Sequence, residues 1–269
     1  MKKIFLAVLA VATVFTVSAQ YKAPQIVANG GYHKHASSGA KNTMSALKAA
    51  QKLKIYGSEC DVNLTKDGKV LVVQSGWHPG RKSSPKADVQ RSTAKKMLDI
   101  PYANGEYIST LEDFLKRAAK KPATKLILDL KSQANLQRET ELVEKVLAIV
   151  EKAGMQNNVE YLAAHPWVAF ELVKKAPEGS KIAYLGNDYD PVYVKGMGCN
   201  SLDYNFKVWK KKKGWIKQAH KLGLVVNAWT VNKEEDIRWC IENGVDIITT
   251  DEPVLAKKIV KEMCGKQKK

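Results

Sequence analysis

The sequence predicts a (β/α)8 TIM barrel that carries one small hairpin after its second strand. Three observations point there. Short apolar strand candidates alternate with amphipathic helical stretches along the whole chain. No long linker or internal repeat interrupts them. One pair of strand candidates is joined only by Thr65-Lys66-Asp67-Gly68, whereas parallel neighbours need a crossover of about a dozen residues or more.

In chain order, the first strand is QIVAN at 25–29, followed by a helix at 43–53, TMSALKAAQKL. The second strand is YGSECDVNL at 56–64. Asp67-Gly68 is a strong hairpin signal, so KVLVVQS at 69–75 returns antiparallel as a hairpin arm rather than as a barrel stave. Then come KLILDL (125–130), the helix ETELVEKVLAIVEKA (139–153), VEYLAA (159–164), KIAYLG (181–186), CNSLDY (199–204), LVVNAWTV (224–231) and VDIITT (245–250). Setting the hairpin arm aside leaves the eight parallel strands of a barrel spanning residues 21–269.

The N-terminal twenty residues, MKKIFLAVLAVATVFTVSAQ, read as a secretory signal peptide: two lysines, an apolar stretch, then small residues before a cleavage point after Ala19. The apolar stretch is too short to span a bilayer, so no transmembrane segment is expected and the mature protein is exported, periplasmic or secreted. The formal charge of +17 suits anionic partners. The run KVWKKKKGW at 207–215 has a nucleic-acid look, but an exported protein seldom meets nucleic acid, and a small anionic substrate is the expected partner. The four cysteines, Cys60, Cys199, Cys240 and Cys264, have no metal-ligand spacing. Burial as small apolar groups is expected, with a Cys240–Cys264 bridge left open.

In such a barrel the chemistry gathers at the C-terminal ends of the strands. Glu59 and Asp61 lie two apart on the second strand and so share a face, as do Asp129 and Lys131. Three carboxylates in one mouth repel each other without a cation, and a hard divalent ion, Ca²⁺ or Mg²⁺, takes such oxygen ligands. Lys131 beside them can hold a phosphate oxygen as a point charge. The alternative is that the acids pair with the barrel's lysines. Asn29, Gln74, His165, Trp229 and Asp251 also fall at strand ends, while His220 sits in a helix and is expected to be structural.

These residues carry a resemblance. GSECDVNLTKDGKVLVV resembles the Glu-x-Asp, Thr-x-Asp-Gly and apolar strand of the glycerophosphodiester phosphodiesterases, and NAWTVNKEEDIRWCIENGVDIITTDEP resembles their closing Trp-Thr-Val-Asn and Thr-Asp-x-Pro segments. KNTMSALKAAQKL is similar to their Glu-Asn-Thr helix start, with Lys41 in place of the acid. The resemblance implies a TIM barrel and a metal-dependent phosphodiester hydrolase acting on glycerophosphodiesters or related lipid headgroup esters. It also implies Glu59, Asp61 and Asp129 as metal ligands, with Lys131 and Trp229 at the substrate.

The departures are specific. The family's His-Arg-Gly corresponds to Asn29-Gly30-Gly31, and its His-Asp to Gln74-Ser75. Those histidines are the family's acid and base, and its arginine grips the phosphate. Neither Asn nor Gln exchanges a proton near neutral pH, and such a group is typically worth about 10²–10⁴-fold. His33, His35 and His78 lie a few residues beyond these positions, at the same mouth, and are the candidates to supply the acid and base. Two readings follow: an enzyme with its acid and base moved onto the loops, or a non-catalytic barrel that binds anionic phosphodiester ligands.

Overall fold

The computed structural model describes residues 21–34, 39–74, 88–102 and 104–265. Its strands form one sheet: β1 (Gln25–Ala28), β2 (Gly57–Leu64), β3 (Val70–Val72), β4 (Ser109–Thr110), β5 (Lys125–Leu130), β6 (Val159–Ala163), β7 (Ile182–Tyr184), β8 (Ser201–Asn205), β9 (Val225–Trp229) and β10 (Ile247–Thr250). All but β3 and β4 pair in parallel, and the ring closes where Val27 and Ala28 of β1 stand opposite Gly57 and Ser58 of β2. This is the expected (β/α)8 barrel. The expected leader at 1–20, and the candidates His35 and His78, lie outside the described residues.

Strand alternation decides what faces the barrel axis. Along β5, Leu126, Leu128 and Leu130 pack outward into the helix layer, while Ile127 joins Val27, Leu162, Ala183 and Ile247 in a plug inside the barrel. The same alternation on β2 sends Cys60, Val62 and Leu64 outward and leaves Glu59 and Asp61 facing inward. Inward polar residues thus sit above an apolar floor, at the ends where the strands run out.

The hairpin forms as expected, with β3 antiparallel to β2 (Val62 opposite Val72, Leu64 opposite Val70). Its turn needs Gly68, whose φ of +78° is open to glycine at no steric cost. Two details differ from the sequence reading. The arm is shorter than 69–75, and a further strand, β4, pairs antiparallel with β3. Leu71, Val73, Val89, Met97, Tyr102 and Ile108 make a separate small core there. That core gives the hairpin the third partner which isolated two-stranded hairpins lack.

The four cysteines are free, three of them buried. His220 bonds Asp246 at 2.8 Å, the structural role expected of it. Among the described residues, no helix is long and apolar enough to cross a membrane.

Candidate functional site

The C-terminal mouth of the barrel opens into a cavity of about 870 Å³, lined in part by Asn29, His33, Lys41, Glu59, Asp61, Gln74, Asp129, Lys131, Asp203 and Trp229. The parallel register places Asp61 opposite Asp129, and Glu59 one inward step lower, opposite Ile127. One carboxylate oxygen from each of Glu59, Asp61 and Asp129 lies within 4.8 Å of the other two. The three residues that the sequence selects as ligands therefore do converge.

Each acid is held by the chain. Glu59 Oε2 accepts a 2.6 Å hydrogen bond from the Gly30 amide. Asn42 Nδ2 donates to Asp61 Oδ2 at 2.7 Å, and Asn42 Oδ1 accepts from the Asp61 amide at 2.9 Å. Asn42 is set by the start of helix Met44–Lys52, where the Thr43 side chain caps the Ala46 amide. Lys131 Nζ pairs with both Asp61 and Asp129. The ion-pair alternative and the acidic cluster thus coexist, with one ammonium against three carboxyls.

Electrostatics follow from that imbalance. Burial, then repulsion by Asp61 and Asp129, pushes the Glu59 carboxyl well above its usual range. Burial also pushes Asp129 up to about 6, with Lys131 opposing the shift and Asp61 adding to it. Burial works against the Lys131 ammonium, but Asp129, Asp61 and Glu59 outweigh it and hold its pKa well above the usual lysine value. Asp129 Oδ1 is buried with no hydrogen-bond partner. A hard cation satisfies all of these at once: an all-oxygen donor set, excess negative charge and an orphaned buried oxygen.

A second cluster adjoins the first. Asp251 accepts from Asn29 Nδ2 at 3.0 Å and Asn232 Nδ2 at 2.9 Å, and pairs with Lys41 Nζ at 2.7 Å. His33 Nε2 stands 4.0 Å from the same carboxylate. Burial lowers the His33 pKa below 6.5, Lys41 lowers it further, and Asp251 opposes them. Among the described residues His33 is the histidine that lines the cavity. His165 instead pairs with the buried Glu139 at 2.7 Å.

Asp203 was missed in the sequence. It is 1% exposed, and its Oδ1 has no partner. Burial, then Asp129, pushes its carboxyl well above the usual range. The signal was present: Asp203 alternates with Leu202 and Tyr204, both of which face the helix layer. Trp229 Nε1 donates to the Asp203 carbonyl at 3.0 Å, which fixes the indole at the rim.

Fold and site together define a TIM barrel with a cluster of three acids, able to hold a metal ion, at its C-terminal mouth. The chain matches the Glycerophosphoryl diester phosphodiesterase family over residues 28–255 and belongs to that family. It is 27% identical over 233 residues to a glycerophosphodiester phosphodiesterase of Bacillus altitudinis, covering 83% of this chain and 94% of the relative. A crystal structure of a glycerophosphodiester phosphodiesterase from Parabacteroides distasonis superposes with a TM-score of 0.84 at 30% identity, over 90% of this chain and 98% of that one. A phosphodiesterase from Oleispira antarctica, solved with the product sn-glycerol-3-phosphate, shares the fold at 18% identity and a TM-score of 0.78, over 88% and 97% of the two chains.

Proposed function

We propose that residues 21–269 form an exported, metal-dependent phosphodiesterase that hydrolyses glycerophosphodiesters or related lipid headgroup phosphodiesters. The observation that carries this reading is the convergence of Glu59, Asp61 and Asp129 in the barrel mouth of a chain that belongs to this family. The basic charge and the product held by the Oleispira antarctica protein agree with a small anionic substrate. Export rests on the character of residues 1–20.

Glu59, Asp61 and Asp129 would hold Ca²⁺ or Mg²⁺, both of which prefer oxygen donors. When bound, the ion supplies positive charge to the non-bridging phosphate oxygens. Hydrolysis also needs a base for the attacking hydroxyl and a proton for the leaving alkoxide. Asn29 and Gln74, at the positions of the family's two histidines, can orient groups by hydrogen bonding but not move a proton there. We assign the base to His33, whose imidazolium is disfavoured by burial and by the Lys41 ammonium and whose Nε2 stands 4.0 Å from Asp251. His35 or His78 is assigned the leaving-group proton.

A second reading, a barrel that binds phosphodiesters without turnover, is favoured by one observation: two strand-end positions at the mouth, Asn29 and Gln74, carry side chains that do not titrate. Turnover of glycerophosphocholine and of a chromogenic phosphodiester by the mature protein, with Ca²⁺ or Mg²⁺, decides between them. No turnover alongside measurable binding leaves the binder.

A further inference from the structure

Lys41 reaches the barrel mouth by an unusual route. Its stem lies across the face of Gly30: a Cβ placed on Gly30 falls 2.5 Å from Lys41 Cβ, 2.7 Å from Cγ and 2.9 Å from Cδ. Gly30 also has a φ of +67°, which glycine adopts readily. Any side chain at position 30 would therefore displace Lys41. The bare glycine is what lets the Lys41 ammonium enter the cavity.

The other cations at the mouth are differently placed. Lys131 is held between Asp61 and Asp129. Lys34 is the more exposed and pairs with Glu252. Lys41, its side chain 26% exposed, has one carboxylate partner among the described residues, Asp251. Asp251 does not depend on it, because Asn29 and Asn232 also donate to that carboxylate. An ammonium on a flexible stem can thus leave Asp251 without stranding a buried charge.

From this geometry we propose that Lys41 is a substrate-binding residue, its ammonium turning from Asp251 to a phosphate oxygen of the anionic ester at the barrel mouth. The inference rests on the phosphodiesterase reading and adds the cation that selects a phosphate ester. Gly30 and Lys41 act as one unit: the glycine supplies the channel and the lysine the charge. Asp251 serves as the resting partner of the ammonium.

The test uses the full mature chain and inorganic phosphate as the probe, with affinity measured by calorimetry and KM for glycerophosphocholine measured alongside. Lys41→Met keeps the stem and removes the charge. It is expected to weaken phosphate binding about 10- to 100-fold, as the loss of one charge-assisted hydrogen bond does, and to raise KM more than it lowers kcat. Lys41→Arg should stay within a few-fold of the parent. Asp251→Asn, which releases the ammonium, should bind phosphate at least as tightly as the parent. A lysine serving only as a strut for Asp251 gives another pattern: unchanged phosphate affinity in Lys41→Met, or equal weakening in Lys41→Met and Asp251→Asn. Either result overturns the proposal while leaving a parent that turns over glycerophosphocholine intact. A parent that neither binds phosphate nor turns over any phosphodiester overturns both readings. Ca²⁺-dependent thermal stabilisation of each variant controls for folding.

Discussion

Asp61 and Asp129 stand directly opposite each other on adjacent parallel strands, with the Lys131 ammonium paired to both. With Glu59 beside them, one ammonium faces three carboxyls inside a barrel whose floor is apolar. Charge excess of that kind is relieved either by protons or by a divalent cation, and the two compete for the same oxygens. The pH dependence of the protein follows from that competition.

The first expectation concerns Asp129, raised by burial to about 6. Between about 3.8 and 6 the folded, metal-free protein binds more protons at this group than the unfolded chain does, so its contribution to stability falls as pH rises through that window. Urea unfolding at several pH values, parent against Asp129→Asn, should show a larger loss in the parent, the remainder in the variant coming from Glu59 and Asp203. The difference should be on the order of a few kcal/mol once complete. In the same window Ca²⁺ affinity should climb with pH and binding should release protons, read as a buffer-dependent enthalpy. A Ca²⁺ affinity that does not change from pH 5 to 8 would contradict this account.

Glu59 gives the second. Its Oε2 accepts from the Gly30 amide, and one of its oxygens lies within 4.8 Å of an oxygen of each of the other two acids. Glu59→Gln preserves an oxygen for the Gly30 amide but removes the charge. Ligand that binds only the native state stabilises by about 2.7 kcal/mol at a hundred times its Kd. That increment, measured as a Ca²⁺-dependent rise in Tm, should vanish in Glu59→Gln while the metal-free Tm holds or rises.

Much of this site could be read from the chain because two rules act together. Strand alternation puts Glu59, Asp61 and Asp129 on one face, and the barrel class says which end of that face is the mouth. The Asp67-Gly68 turn was legible for the same local reason. The remainder depends on contacts distant in sequence. β4 is two residues long and exists only because β3 offers it an edge. The passage of Lys41 over Gly30 depends on a left-handed backbone angle and on the bond from the Asn42 amide to the Gly30 carbonyl, neither of which has a periodic signature. Asp203 obeyed the alternation rule and was overlooked because its strand holds no second acid to draw attention to it.

Asp203 supplies the third expectation. A carboxyl that is 1% exposed with an unpartnered oxygen costs stability, since burying a polar group without a hydrogen bond costs roughly 1–3 kcal/mol on mutational scales. Its folded pKa is raised by burial, so the penalty is absent at low pH and grows as pH rises. Asp203→Asn should therefore stabilise the protein by about 1 kcal/mol or more at pH 8 and by much less at pH 4. Equal gains at both values would mean that packing, rather than charge, is responsible.

His33 supplies the last. Burial and the Lys41 ammonium both disfavour the imidazolium, and Asp251, at 4.0 Å, only partly offsets them. A ring held neutral in this way is suited to accept a proton rather than to donate one, so kcat/KM should rise with pH through a value below 6.5 and level off above it. His33→Ala should remove that limb and lower kcat by about 10²-fold while moving KM little. Removing the ammonium in Lys41→Met deletes one of the two leading causes of the shift, so the limb should move to higher pH, and an NMR titration of His33 should move with it. The stability sign is independent of turnover: a histidine with a depressed folded pKa contributes stability above 6.5 that is lost as pH falls through the folded value. His33→Ala should flatten that acid-side loss. An unshifted His33 titration in Lys41→Met would show that the two side chains do not share the field of Asp251, and a parent-like pH–rate profile in His33→Ala would remove His33 from the chemistry.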